Sequence, residues 1–166
     1  MPAGTDTYEI HKIKLGEEIL CSGGSIRLRV WGTSMLPSVW PGDVVIVEGY
    51  AVTSVVCGDI ILYEANDSFF VHRVIGKSED GVGWFTRGDA LPQDDPAITK
   101  SQLLGRVSVI YRNGRTIVPK RGLAPLMRAA GWILSNSDHL RSLALRLHSL
   151  RNRTRPDGVA HLARYF

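Results

Sequence analysis

Ser34 and His72 are the two residues of this sequence whose chemistry fits a nucleophile and its general base. Ser34 lies in the loop 32–37, where flanking Gly and Pro allow a serine hydroxyl to point into a cleft. A serine becomes a nucleophile only when a neighbouring base takes its proton. His72, within the apolar run 69–75, offers an imidazole for that task. Each residue alone also fits an ordinary role, as a turn serine bonded to nearby backbone or as a core histidine.

Two aspartates could orient the imidazole of such a pair. Asp89 and Asp95 belong to the stretch 87–95, which follows an apolar segment and contains a proline. In serine hydrolases an Asp holds the His in the productive tautomer and orientation. Aspartates in loops also form turns, so residue type leaves both Asp89 and Asp95 open as the partner. The other four histidines lie in polar or basic segments, namely His11, His139, His148 and His161.

Short β-strands separated by tight turns have to position these side chains. Apolar and polar residues alternate over 25–31, and β-branched or apolar runs recur with Gly, Asp and Asn turns between them. This pattern is typical of a mainly β, antiparallel domain rather than of βαβ units. A strand followed by a short helix is predicted within 8–22. The further predicted strands lie at 44–47, 60–63, 69–75, 82–87, 104–111 and 114–118.

The C-terminal part of the chain differs in charge and periodicity. Residues 112–166 carry eleven Lys/Arg and two Asp/Glu, a balance of +9, against −5 for residues 1–111. Leucines at helical spacing within 137–151 form one stripe, and most arginines lie off it. We therefore predict a catalytic β domain over 1–119 and a helical basic extension over 120–166. The extension either packs its leucines on the β domain or lies on an anionic membrane surface. Binding to nucleic acid is disfavoured, because no aromatic residues alternate with the arginines.

Composition excludes several classes of protein. The chain has 166 residues, 44% of them apolar and 22% charged, which is the range of a globular domain. It contains no run of 18 apolar residues and its N-terminus has no apolar segment of the signal-peptide type. Cys21 and Cys57 make neither a disulfide framework nor a metal-ligand spacing. We expect a cytoplasmic protein, either free or peripheral to a membrane, that needs no metal or other cofactor.

The order of the motifs resembles the type I signal peptidases and their relatives. The resemblance begins with Gly32-x-Ser34-Met35-x-Pro37 and continues through two Gly-Asp turns, each followed by a strand. Val71-His72-Arg73-Val74 is similar to the segment that holds the general base, and the His places the chain beside the endoplasmic-reticulum and archaeal branch. The stretch 85–95, Gly88-Asp89 to Asp94-Asp95 included, resembles the acidic segment of that branch. The match spans about residues 28–111.

The resemblance implies a serine endopeptidase that removes a leader or signal-type segment after small residues. Ser34 would be the nucleophile, His72 the general base and Asp95 the acid of the triad, with Asp89 as a second acid that orients His72 or holds the loop. The backbone N–H of Ser34 would be one oxyanion donor. Some relatives add a serine hydroxyl where this chain has Gly32, so the second donor stays open.

The resemblance also implies how a substrate binds. A protein or peptide would lie as an extended strand beside the catalytic strands, in the manner of β-augmentation. The side chains implied to contact it are Thr33, Met35, Phe70 and Val71.

Two other functions remain open at this point. A self-cleaving regulator of the repressor type shares the fold, and Ala3-Gly4 is a candidate bond upstream of Ser34, but such regulators use Lys rather than His as the base. The second open function is that of a non-enzymatic peptide-binding module on the same scaffold, because a fold does not determine a function. The 33 residues before Ser34 contain no segment able to span a bilayer, so we expect a different substrate from that of membrane-anchored relatives, or another route to the membrane.

Overall fold

Seven antiparallel strands, preceded by a short helix, form the main body of the part of the chain that the structure describes. This computed structural model describes residues 14–49, 54–78 and 81–122, together with 129–131, 133, 137, 139 and 142–147. Residues 14–21 are helical and precede the first strand. The strands are β1 (Ser25–Arg29), β2 (Val44–Gly49), β3 (Ile60–Ala65), β4 (Ser68–Lys77), β5 (Trp84–Arg87), β6 (Leu103–Arg112) and β7 (Arg115–Ile117).

All seven strands form one sheet in the order β1-β2-β6-β3-β4-β5, with β7 paired to β6. Every pairing is antiparallel. The hairpin β3–β4 turns through Asn66 and Asp67, both at positive φ, the conformation for which Asn and Asp are suited. Its register sets Ile61 opposite His72, and the next pairing sets Arg73 opposite Arg87. The sheet therefore sets β4, which carries His72, beside β5, which leads into the loop with the two candidate aspartates.

Apolar side chains on both faces of the sheet form two core clusters. β3 is buried throughout its first four residues, because Ile60 and Leu62 face the main cluster while Ile61 and Tyr63 face the second. This explains why the run 60–63 is continuously apolar instead of alternating. The helix over 14–21 closes the main cluster with Leu20, which is 2% exposed.

The mainly antiparallel β class predicted from the sequence is confirmed. Each predicted strand between residues 25 and 118 has an observed counterpart, with ends shifted by a few residues. The strand predicted before residue 14 lies outside the described residues. Most of the predicted helical extension over 120–166 also lies outside them; its described residues at 129–131, 133, 139 and 142–147 are helical, and a continuous basic helix stays a prediction. No helix among the described residues is long and apolar enough to cross a membrane.

Candidate active site

Ser34 sits on a tightly turned loop that follows β1. The loop makes a hydrogen-bonded turn in which the amide of Val39 donates to the carbonyl of Met35 at 3.0 Å, and the amide of Leu36 donates to the carbonyl of Thr33 at 3.2 Å. The side chains of Met35 and Leu36 are 2% and 1% exposed. Because these two apolar side chains are buried, the preceding Ser34 is held at the edge of the core, where it remains partly accessible.

His72 of β4 links Ser34 to Asp95. Nε2 of His72 lies 3.0 Å from Oγ of Ser34, and Nδ1 lies 2.7 Å from Oδ2 of Asp95. The side chains of His72 and Asp95 are 7% and 17% exposed, so the chain of hydrogen bonds is largely shielded from water. An ionised carboxylate can only accept, so Nδ1 carries the proton and the lone pair of Nε2 faces the serine hydroxyl. This arrangement is competent for proton abstraction from Ser34.

The carboxylate of Asp95 is held by further groups besides His72. The hydroxyl of Thr86 donates to Oδ2 at 2.7 Å, and the amide of Asp95 donates to the carbonyl of Thr86 at 2.8 Å. Burial raises the pKa of Asp95, but the hydrogen bonds from His72, Thr86 and Tyr63 outweigh it and hold the pKa below its ordinary value of 3.8. Asp95 is therefore an anion at neutral pH.

Tyr63 of β3 completes the buried surroundings of the imidazole. Its hydroxyl lies 3.4 Å from Nδ1 of His72, and its ring stacks on Phe70 with centroids 5.4 Å apart. Burial raises the pKa of Tyr63 to about 12, so the hydroxyl keeps its proton at any physiological pH. Sequence analysis placed Tyr63 only in an apolar strand. The sequence signal for this role was a tyrosine in a continuously apolar run, since a buried phenol needs a polar partner.

Asp89 does not contact His72 and pairs instead with Arg73. The guanidinium meets both carboxylate oxygens, at 2.7 Å from Nε and 2.8 Å from Nη2. Its other three N–H groups go to the carbonyls of Gly58 and Lys120 and to the hydroxyl of Ser38. All five donors of Arg73 are thus used, and one buried side chain ties β4 to the Asp89 loop and the Ser34 loop. Sequence analysis missed this role of Arg73.

A second arginine fixes the far end of the Ser34 loop. Arg112 of β6 forms a bidentate pair with Asp43, with contacts between 2.7 and 3.1 Å, and donates to the carbonyl of Ser38 at 2.8 Å. The carboxylate of Asp43, 1% exposed, also accepts the amide of Trp40 at 2.8 Å. The loop between β1 and β2 is therefore anchored by charge at Ser38 and Asp43, and by apolar burial at Met35.

Gly88 permits the close approach of the Asp89 loop to Ser34. A Cβ on Gly88 would lie 2.6 Å from the carbonyl oxygen of Ser34 and 3.0 Å from its Cβ. Next to this contact, the amide of Ala90 donates to the same carbonyl at 2.8 Å. A glycine is needed here because any side chain would displace one of the two backbones.

The four side chains implied to contact a substrate occupy different environments. Thr33 and Val71 are half-buried, and Val71 packs against the main cluster. Phe70 shares the face of β4 that carries His72, with ring centroids 6.1 Å apart. Met35 belongs to the main cluster and presents almost no surface, so its side chain anchors the loop.

One cavity lies next to the Asp89 loop. This cavity of about 620 Å³ is lined by residues 89–92 together with Arg73, Arg87, Arg121 and Cys57, whereas Ser34, His72 and Asp95 do not line it. Among the described residues, no three His, Cys, Asp or Glu side chains converge in a way that could hold a metal ion.

The fold and the Ser-His-Asp arrangement define a serine peptidase-like scaffold, and comparison with known families agrees with this class. A model of the family described as Peptidase S24-like matches residues 1–101, more than half of the chain. The chain belongs to this Peptidase S24-like family. A search of curated proteins finds no match.

Proposed function

We propose that this protein is a serine endopeptidase that uses Ser34, His72 and Asp95 to cut a leader or signal-type segment of a protein or peptide. The observation that carries the proposal is the continuous hydrogen-bonded chain from Oγ of Ser34 through His72 to Asp95, at 3.0 and 2.7 Å. Membership of the Peptidase S24-like family supports a hydrolytic role for this scaffold. The His at position 72 supports a likeness to the His-base branch of type I signal peptidases.

The mechanism follows from the donors and acceptors of the chain. Nε2 of His72 takes the proton of Ser34 as Oγ attacks the scissile carbonyl carbon, and Asp95 stabilises the resulting imidazolium. His72 then gives that proton to the leaving amine as the C–N bond breaks, which leaves an acyl group on Ser34. A water molecule, deprotonated in turn by His72, releases the acyl group and restores the serine.

The oxyanion of the tetrahedral intermediate needs preorganised donors. We assign one donor to the backbone N–H of Ser34. The amide of Ala90 is already engaged with the carbonyl of Ser34, so it serves the loop and not the substrate. The backbone amide or the hydroxyl of Thr33, half-buried beside Ser34, is the candidate for the second donor.

The substrate is proposed to bind as an extended strand beside β4 and the segment that leads to Ser34. Thr33, Phe70 and Val71 would contact the residues on either side of the cut bond. An extended peptide offers its backbone to strand edges, and half-buried walls of this kind leave room for small side chains. Cleavage after small residues is part of the proposal and rests on the family resemblance.

The test is cleavage of a mixed library of extended peptides by the full chain, with products identified by mass spectrometry. Ser34→Ala and His72→Ala should each lower kcat by about 10⁴-fold or more. Ser101→Ala and His139→Ala, which alter an exposed serine and an exposed histidine, should match the wild type. The proposal fails if Ser34→Ala cleaves the same peptides as fast as the wild-type protein.

Self-cleavage is the second candidate, and the family match favours it enough to test. The matched region includes residues 1–13, which contain the Ala3-Gly4 bond and lie outside the described residues. A self-cleaving protein incubated alone at alkaline pH would yield fragments at a rate independent of protein concentration, and Ser34→Ala would stay intact. A peptidase acting on other chains would leave its own mass unchanged under the same conditions.

We also propose that the basic C-terminal extension contacts an anionic membrane surface. Among the described residues, Leu143 and Leu147 lie one helical turn apart and are 54% and 58% exposed, with Arg146 exposed between them. Exposed leucines on a basic helix suit the interfacial region of a bilayer. Each Lys or Arg near anionic lipid adds roughly 1 kcal/mol, so binding should weaken as salt is raised.

A further inference from the structure

Two buried hydroxyl groups surround the Asp95 carboxylate on the side away from solvent. Thr86 of β5 is fully buried and donates to Oδ2 of Asp95 at 2.7 Å. Tyr63 of β3 is 4% exposed, and its hydroxyl lies 3.4 Å from Nδ1 of His72, the nitrogen that also faces Oδ2. Both hydroxyls therefore lie close to the contact between Nδ1 of His72 and Oδ2 of Asp95.

The positions of the protons follow from simple counting. Nδ1 of His72 donates its only hydrogen to Asp95, so it has no lone pair for the Tyr63 hydroxyl. The carboxylate of Asp95 and the hydroxyl of Thr86 are the polar groups near that phenol. Of these the carboxylate is the anion, and a hydrogen bond from Tyr63 is one of the contributions that lower the pKa of Asp95. Tyr63 keeps its proton up to a pKa of about 12, and a threonine hydroxyl does not ionise, so both groups are permanent donors.

We propose that Tyr63 and Thr86 are positioning residues that clamp the Asp95 carboxylate so that His72 keeps its proton on Nδ1. The inference rests on the proposed peptidase function, because the Nδ1 tautomer is the one that leaves Nε2 able to accept the Ser34 proton. The two clamping residues come from strands on either side of β4, which carries His72: β3 supplies Tyr63 and β5 supplies Thr86. Without the hydroxyls the carboxylate can rotate away from the imidazole.

A purely structural role for these residues predicts a different mutational pattern. Thr86→Val keeps the volume and removes the hydroxyl, whereas Thr86→Ser keeps the hydroxyl and removes a buried methyl group. If the hydroxyl matters, Thr86→Val is the damaging change and Thr86→Ser rescues it. If only packing matters, the order is reversed, since a lost buried methyl group leaves a small void. Tyr63→Phe likewise keeps the ring that stacks on Phe70 and removes only the oxygen.

The experiment is a long-range ¹⁵N–¹H correlation spectrum of the histidine rings in the full chain, which reports the tautomer of each ring directly. The His72 signals are assigned by their loss in His72→Gln. We expect the Nδ1–H tautomer in the wild type and a measurable share of the other tautomer in Tyr63→Phe and Thr86→Val. Thr86→Ser, and the controls Tyr111→Phe and Thr116→Val at more exposed sites, should keep the wild-type spectrum.

A kinetic measurement on a cleaved peptide accompanies the spectra. Tyr63→Phe and Thr86→Val should lower kcat by roughly tenfold to a hundredfold with KM little changed, because a misoriented base affects the chemical step and not binding. An unchanged tautomer together with an unchanged kcat in both variants overturns the inference, as does the reversed Thr86 order. If the wild type cleaves no peptide while the tautomer shifts as expected, the clamp stands and the proposed function fails.

Discussion

Replacing Gly88 by Ala places a methyl carbon 2.6 Å from the carbonyl oxygen of Ser34 and 3.0 Å from its Cβ. Ordinary contacts of a Cβ begin at 3.4 Å, so the two backbones must separate by roughly 0.8 Å. A third neighbour, Cδ1 of Leu91 at 3.0 Å, is the end of a flexible side chain and can move, but the Ser34 carbonyl is backbone. The Ser34 loop is also fixed by buried Met35 and Leu36. The strain therefore falls on the contact between the Asp89 loop and Ser34.

The displacement acts on the reactive geometry at once. The hydrogen bond from the amide of Ala90 to the carbonyl of Ser34, 2.8 Å in the structure, is stretched, and Oγ of Ser34 moves relative to Nε2 of His72, now 3.0 Å away. A misplacement near 1 Å in a catalytic group costs about 10²-fold in rate. We expect kcat/KM to fall about tenfold to about a hundredfold, with a loss of about 1–3 kcal/mol in the free energy of unfolding.

The assay compares Gly88→Ala with Gly76→Ala in peptide cleavage, in covalent labelling of Ser34 by a fluorophosphonate and in thermal unfolding. Gly76 lies in β4, where an added Cβ meets no atom within 4 Å, so this control should behave as the wild type in all three measurements. Wild-type cleavage and labelling by folded Gly88→Ala would refute the argument that this glycine holds Ser34 in place.

Four further predictions concern charge, pH and the extension. Asp89→Asn leaves the buried guanidinium of Arg73 without its counter-ion and should cost about 3–5 kcal/mol in a denaturant unfolding curve, whereas a loss under 1 kcal/mol would contradict the ion-pair argument. Because hydrogen bonds lower the pKa of Asp95 below 3.8, its contribution to stability is present above pH 4 and is lost as pH falls through the folded pKa. Asp95→Asn should therefore show a flatter decline in melting temperature below pH 4 than the wild type. Since burial raises the pKa of Tyr63 from 10.0 to about 12, the free energy of unfolding should fall as pH rises from about 10 to about 12, and Tyr63→Phe should lose less over that interval. The wild type should sediment with anionic vesicles at low salt, and the double variant Leu143→Asp/Leu147→Asp should not. Neutral vesicles should bind neither the wild type nor the double variant. Equal binding of the wild type and the double variant to anionic vesicles would show that these leucines do not contact the bilayer.

The strands were predictable because their signals are local. Alternation over β1, the β-branched run of β2 and the Asn66-Asp67 turn of the β3–β4 hairpin each depend on near neighbours in sequence. The candidate residues Ser34 and His72 were also named from the sequence, because the motif around each is compact. Whether Ser34 and His72 act in catalysis stays a prediction until the variants are measured.

The choice between Asp89 and Asp95 was not predictable from residue types. Both follow β5 in one loop, and the distinction depends on which side of β4 each carboxylate reaches. The answer requires the register of β4 against β5, which sets Arg73 opposite Arg87 and then shifts at an irregularity between Val74 and Gly76. Pairing between strands that is interrupted by a bulge leaves no clear trace in composition or periodicity.

Adjacent residues of β4 contact different partners, because successive side chains of a strand point in opposite directions. His72 reaches Asp95 and Ser34, while Arg73 reaches Asp89 and Ser38. The loop after β1 is therefore held twice by the same strand, once at Ser34 through His72 and once at Ser38 through the guanidinium of Arg73. Because the guanidinium also holds the loop, the proposed proton transfer between Ser34 and His72 would not release it. The two aspartates are consequently not interchangeable: Asp95 accepts from the imidazole of His72, whereas Asp89 binds the guanidinium that holds the Ser34 loop.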